Sequence, residues 1–74
     1  MKLINTSSSE KLFALTGIAK DSGLAISMDY ISSRDLWILQ MFDSQERLVV
    51  SANGASLGDV IDRLHENFLK ATSP

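Results

Sequence analysis

A chain of 74 residues with 45% hydrophobic and 22% charged side chains is one small globular domain, too short for two cores and too apolar for a disordered tail. It has no cysteine, which excludes disulfides and thiolate metal sites, and its one histidine excludes a histidine-rich metal centre within the chain. Lys2, Lys11, Lys20, Arg34, Arg47, Arg63 and Lys70 face nine acidic residues, for a net charge of −2, and are scattered rather than clustered, which argues against a phosphate-neutralising surface.

Residues 8–22 read as the first helix. Ser7 can accept from the amide three residues on and Glu10 can reach back to it, a capping box. Leu12, Leu15, Ile18 and Ala19 then recur at helical spacing, with Phe13 beside them. Gly23 stands where a left-handed residue closes a helix. Gly17, inside the helix, costs about 1 kcal/mol against alanine, and close packing on a neighbouring element would explain it.

Residues 24–31 change period. Leu24, Ile26, Met28 and Tyr30 alternate with Ala25, Ser27 and Asp29, which is a strand with one apolar face. Ser32-Ser33-Arg34-Asp35 is a turn, residues 36–42 a second strand, Asp43-Ser44-Gln45-Glu46 a second turn, and residues 47–52 a third strand that Asn53-Gly54 breaks. Turns this short join antiparallel neighbours, so the strands form a meander. Ser56 then caps a second helix over residues 57–70, with Asp59 completing a capping box and Ala55 and Val60 a hydrophobic staple. Leu57, Val60, Ile61, Leu64 and Phe68 make the clearest apolar stripe in the chain, and Asp59–Arg63 and Glu66–Lys70 have the spacing of surface ion pairs. Residues 1–74 are therefore one α+β domain of order αβββα: a three-stranded antiparallel meander with two helices packed on one face.

Strand parity sorts the sheet residues into two faces. Leu24, Ile26, Met28, Tyr30, Trp37, Leu39, Met41, Leu48, Val50 and Ala52 form a continuous apolar face for the helices. The other face should be mostly polar if it is solvated, yet it carries Ile31, Leu36, Ile38, Phe42 and Val49. Either the first helix or the N-terminal Leu3 and Ile4 fold over these residues, or they are a contact surface for a second copy or another protein. The second is preferred, because so short a chain gains only about 3–5 kcal/mol from its own core and oligomerisation is a common supplement.

Chemistry is sparse. Gly54-Ala55-Ser56-Leu57-Gly58 lacks the lysine and spacing of a phosphate loop and reads as a turn and a helix start. His65, next to Ile61 and Phe68, reads as a boundary residue, and nothing brings a serine to it as a nucleophile would require. Tyr30 and Trp37 fit the core better than a base-stacking platform, which would need a basic groove beside it. No catalytic residue, cofactor or metal ligand is assigned, and no enzyme is expected. No apolar run reaches the ~18–20 residues of a membrane helix. Residues 6–11 are polar where a signal peptide would be apolar, so a cytoplasmic protein is expected.

Two resemblances add to this. Trp37-Ile38-Leu39-Gln40-Met41-Phe42-Asp43, Arg47-Leu48-Val49-Val50-Ser51-Ala52-Asn53-Gly54 and Ser56-Leu57-Gly58-Asp59-Val60-Ile61 resemble the hairpin-and-helix pattern of small bacterial and phage-encoded proteins, over residues 36–70. That resemblance implies an accessory protein of a phage or prophage, acting in the host cytoplasm by binding a host or phage protein, with no catalytic residues. The element order is also similar to that of double-stranded RNA-binding domains, which would imply a nucleic-acid-binding module. Those domains begin their last helix with lysines, whereas this one begins Leu57-Gly58-Asp59. The expected function is non-enzymatic binding of another protein or of itself as a homodimer, with nucleic-acid binding as the alternative.

Overall fold

The computed structural model describes residues 6–73. The order is α1 (Thr6–Asp21), β1 (Ala25–Ile31), a short 3-10 turn (Ser32–Arg34), β2 (Leu36–Phe42), β3 (Leu48–Gly54) and α2 (Leu57–Thr72). This is the αβββα order expected from the sequence. Leu3 and Ile4 lie outside the described residues.

Helix α1 begins at Thr6, so the backbone at Ser7 is already helical and the expected capping box does not mark the boundary. Its other end is as expected. Gly23 adopts φ 71°, its amide donates to the Lys20 carbonyl at 3.2 Å, and the Leu24 amide reaches the Ala19 carbonyl at 2.8 Å. This pair of bonds is the Schellman closure, and Leu24 packs back against the core beyond it. Gly17 does not serve close packing: a Cβ there would meet nothing within 4 Å. The close approach is at Gly58, whose Cβ would lie 3.2 Å from the Ser8 Oγ, where the first turns of the two helices meet.

The strands form one antiparallel sheet of order β1-β2-β3. β1 pairs with β2 from Ala25↔Phe42 to Ile31↔Leu36. β3 pairs with β2 from Trp37↔Gly54 to Met41↔Val50, and a bulge then shifts the pairing to Phe42↔Leu48. Asn53-Gly54 does not break β3; both residues stay paired, opposite Ile38 and Trp37. Glycine at the strand end allows a close approach instead: a Cβ on Gly54 would sit 3.1 Å from the Val60 Cγ2 of α2.

Asp43 organises the second turn. Its Oδ1 accepts the amides of Gln45 and Arg47, both at 2.9 Å, and its Oδ2 accepts the Arg47 Nε at 3.1 Å. The Arg47 amide is the main influence holding this carboxyl below its ordinary 3.8, against some loss of solvent. Stability from this pinning is present above the ordinary carboxylate pKa and is lost as pH falls through the lowered folded value. Glu46 closes the loop at φ 62°, a left-handed position that a glycine or asparagine would occupy with less strain.

Both helices lie on one face of the sheet. Leu39 and Met41 of β2, with Val50 and Ala52 of β3, are buried together with Leu15 and Ala19 of α1 and with Leu57, Val60, Ile61, Leu64 and Phe68 of α2. α2 lies chiefly on β3 and partly on β2, while α1 packs against α2 and only lightly on β1. Ser56 stands at the N-cap of α2 with extended backbone, as expected, but its side chain makes no cap bond; only its carbonyl is engaged, by the Val60 amide at 3.0 Å. Lys70 pairs with Glu66 at 3.7 Å, as its spacing implies. Arg63 turns away from Asp59 and donates its Nη1 to the Asn53 carbonyl at 2.6 Å.

Two stability measurements follow from this packing. Leu64 is fully buried, so Leu64→Ala should cost about 2–5 kcal/mol through lost transfer energy and a cavity, read as a lower denaturant midpoint. Gly17 is helical, exposed and has open space around it. Gly17→Ala should therefore stabilise by up to about 1 kcal/mol and raise Tm by roughly 4–8 °C per kcal/mol gained.

Candidate functional site

The face of the sheet turned away from the helices is ordered in rows by the register. Ile31 lies opposite Leu36; Asp29, Ile38 and Asn53 form the next row, Ser27, Gln40 and Ser51 the third, and Ala25, Phe42 and Leu48 the last. The polar third row divides the apolar residues into two clusters. Ile31, Leu36 and Ile38 stand at one end, and Phe42 stands at the other, beside Leu48. Ile38 and Phe42 are four residues apart on one strand, about 13–14 Å at 3.4 Å per residue. Ile31, Leu36, Ile38 and Phe42 are each half-buried. The buried residues of both helices lie on the opposite side of the sheet, so this shielding does not come from the core-facing sides of the helices.

The bulge corrects the expected parity of β3. One extra residue separates the Met41↔Val50 and Phe42↔Leu48 pairs. Leu48, expected under the helices, therefore stands across from Phe42 and is 52% exposed. Val49, expected on the open face, falls at the bulge, half-buried against the core. The unbroken apolar run Leu48-Val49-Val50 was the available signal, because it has no alternation to assign.

A second surface lies on the helix side, where the sequence suggested only core. Met28 is 40% exposed and Tyr30 46% exposed. α2 sits over β3 and β2 and α1 touches β1 only lightly, which leaves Met28 and Tyr30 uncovered. Tyr30 stacks on half-buried Trp37, with ring centroids 4.6 Å apart and planes tilted by 43°. Its hydroxyl donates to the Asp35 Oδ1 at 2.8 Å. Asp35 is itself held left-handed, at φ 48°, at the end of the 3-10 turn.

Between the helices runs a shallow groove of about 130 Å³, lined by Lys11, Ala14, Leu15, Ile18, Ile61, Asp62 and His65. Lys11 and Asp62 close it with an exposed ion pair of 2.8 Å. His65 stands half-buried on its wall, the boundary position expected for it. The groove is well below the ~300 Å³ at which ligand pockets begin. Among the described residues no group of three or more histidine or acidic side chains converges as metal ligands, and no helix is long and apolar enough to cross a membrane. No protein-family model, curated protein or solved structure matches the chain.

The Tyr30–Asp35 contact is open to direct measurement. The hydrogen bond to the Asp35 carboxylate, followed by loss of solvent and the carboxylate's charge, raises the Tyr30 phenol above its ordinary 10.0. Stability linked to it is complete below the ordinary phenol pKa and is lost as pH rises through the raised folded value. Tyr30 is the single tyrosine of the chain, so phenolate absorbance reports it alone. Asp35→Asn should bring the titration midpoint down toward 10.0, and an unchanged midpoint would assign the shift to something other than Asp35.

Proposed function

We propose that this protein is a non-enzymatic binding protein that engages another protein, or a second copy of itself, through sheet surface that its own helices leave uncovered. One observation carries the reading. β2 is apolar on both sides, and the helices bury only the Leu39 and Met41 side. Ile31, Leu36, Ile38 and Phe42 are left on the other side, with Leu48 added by the bulge. A monomer has little use for apolar side chains there, whereas a contact surface needs them. The net charge of −2 and the engagement of Lys11 by Asp62 favour a protein partner over a nucleic acid. The resemblance of residues 36–70 to small phage and prophage accessory proteins supports a host or phage protein as that partner, met in the cytoplasm.

The test is the double variant Ile38→Asp with Phe42→Asp. In water the two added carboxylates cost little beyond the repulsion between Asp29 and the new charge across from it, whereas in a desolvated contact they are costly. The variant should keep its helical circular dichroism and lose a partner that the wild type retains in affinity capture from the source cell. Loss of the helical signal would mean that the face is packed within the fold, and would end the reading.

A further inference from the structure

The two edges of the sheet are treated differently. β3 presents its edge to α2, and side chains of that helix occupy its carbonyls: Arg63 bonds to Asn53 at 2.6 Å and Asn67 to Ser51 at 3.2 Å. Edge groups engaged by the protein's own side chains are poor templates for a further strand. β1 has the other edge over seven residues, Ala-Ile-Ser-Met-Asp-Tyr-Ile, with no proline, no lysine and one charge.

The direction of the β1 backbone groups follows from the register. Asp43 donates its amide to the Arg47 carbonyl at 3.0 Å, so the backbone of Asp43 faces β3. Alternation along β2 then turns Phe42, Gln40, Ile38 and Leu36 toward β1. Their partners Ala25, Ser27, Asp29 and Ile31 face inward. Ile26, Met28 and Tyr30 therefore direct their amides and carbonyls away from the sheet. The side chains of Met28 and Tyr30 are the ones the helices leave exposed. On α1, Phe13 is 82% exposed. At about 100° per residue it lies on the solvent side of α1, about 160° round from buried Leu15. Among the described residues, backbone groups with no strand beside them and side chains that the helices leave uncovered coincide along one edge.

We infer that β1 is the seam of a homodimer, in which β1 of two copies pair antiparallel about a two-fold axis at Met28 and join the sheets into one of six strands. The inference deepens the proposed function by naming one partner, a second copy, and rests on the same reading of uncovered sheet as contact surface. The sequence of β1 is self-complementary in this register. Ile26 faces Tyr30, Ser27 faces Asp29, Ala25 faces Ile31, and Met28 faces its own copy, so every residue of the strand is used. An aliphatic residue across from an aromatic one is a favourable pair, and the Asp29 carboxylate meets a hydroxyl. Centring on Asp29 would set two carboxylates face to face, and centring on Ser27 would pair Tyr30 with Leu24, outside the strand. In the Met28 register the three outward residues of each copy exchange about six hydrogen bonds. The same axis brings the Ser32–Arg34 turn of one copy toward the α1–β1 corner of the other.

Sedimentation equilibrium of the full chain tests this, with circular dichroism on the same samples. The wild type should sediment at twice its 8.1 kDa. Met28→Pro removes an amide that points out of the sheet, leaves the β1–β2 ladder intact, and should give a folded monomer. Met28→Cys introduces the only thiol of the chain and should oxidise to a covalent dimer, whereas Leu48→Cys on the far strand should not. If Met28→Pro fails to fold, the cysteine pair decides. A wild type that is monomeric at its highest soluble concentration overturns the inference. So does a folded Met28→Pro variant that stays dimeric, or equal cross-linking of the two cysteine variants. The Ile38→Asp with Phe42→Asp variant separates this inference from the proposed function: it should remain a dimer even where it has lost capture of another protein. A monomeric double variant would move self-association to the open face and overturn the β1 seam.

Discussion

Everything in this fold depends on the contact of α2 with the inner face of β2 and β3. Val60, Ile61 and Leu64 are buried together with Leu39 and Met41, and these are the most completely enclosed side chains of the described residues along with Leu15. The contact fixes the helix over one side of the meander, and α1 is held mainly by packing on α2 rather than on the sheet. Two positions show how tight the arrangement is. Gly54 lets the end of β3 come close to Val60, and Gly58 lets the first turn of α2 come close to Ser8. A methyl group at either would require the neighbour to give by a few tenths of an ångström.

The cost of that arrangement is coverage. Two short helices on a three-stranded sheet cover the inner sides of β2 and β3, and they leave the outer face of the sheet and half of β1 uncovered. The uncovered parts differ in kind. The outer face carries two apolar clusters separated by Ser27, Gln40 and Ser51, and so suits a partner that touches at two points. The β1 edge combines backbone groups with Met28 and Tyr30, and so suits an added strand. The β3 edge is engaged by Arg63 and Asn67. The same helix that builds the core therefore also guards one edge, while the β1 edge meets no strand among the described residues.

The elements themselves were legible in the sequence because each rests on local chemistry. Helical spacing from Leu57 to Phe68 and Gly23 as the closing residue of α1 act within a few residues of one another and appear in the structure; the alternation from Leu24 to Tyr30 marks the strand, but not the burial of Met28 and Tyr30. The candidate surface was legible in part. Ile31, Leu36, Ile38 and Phe42 share the open face, as parity implied. Leu48 and Val49 exchanged roles because the bulge inserts a residue into β3, and a period of two carries no record of where it slips. Gly17 faces open space rather than a packing partner, and Arg63 leaves Asp59 for the Asn53 carbonyl, because helical spacing alone does not say what lies across from a side chain.

By itself, then, the sequence determined the number, order and type of elements, the apolar stripe of α2, and the fact that the middle strand is apolar on both sides. Periodicity and turn chemistry are short-range properties, written in adjacent residues. Only the tertiary structure decided which half of the sheet the helices cover, which edge their side chains occupy, and that Met28 and Tyr30 stay in solvent while Leu39 and Met41 do not. Those outcomes depend on where two helices can dock on a twisted sheet of limited width. Docking is settled by the shape of the whole packed core, which no local pattern along the chain contains.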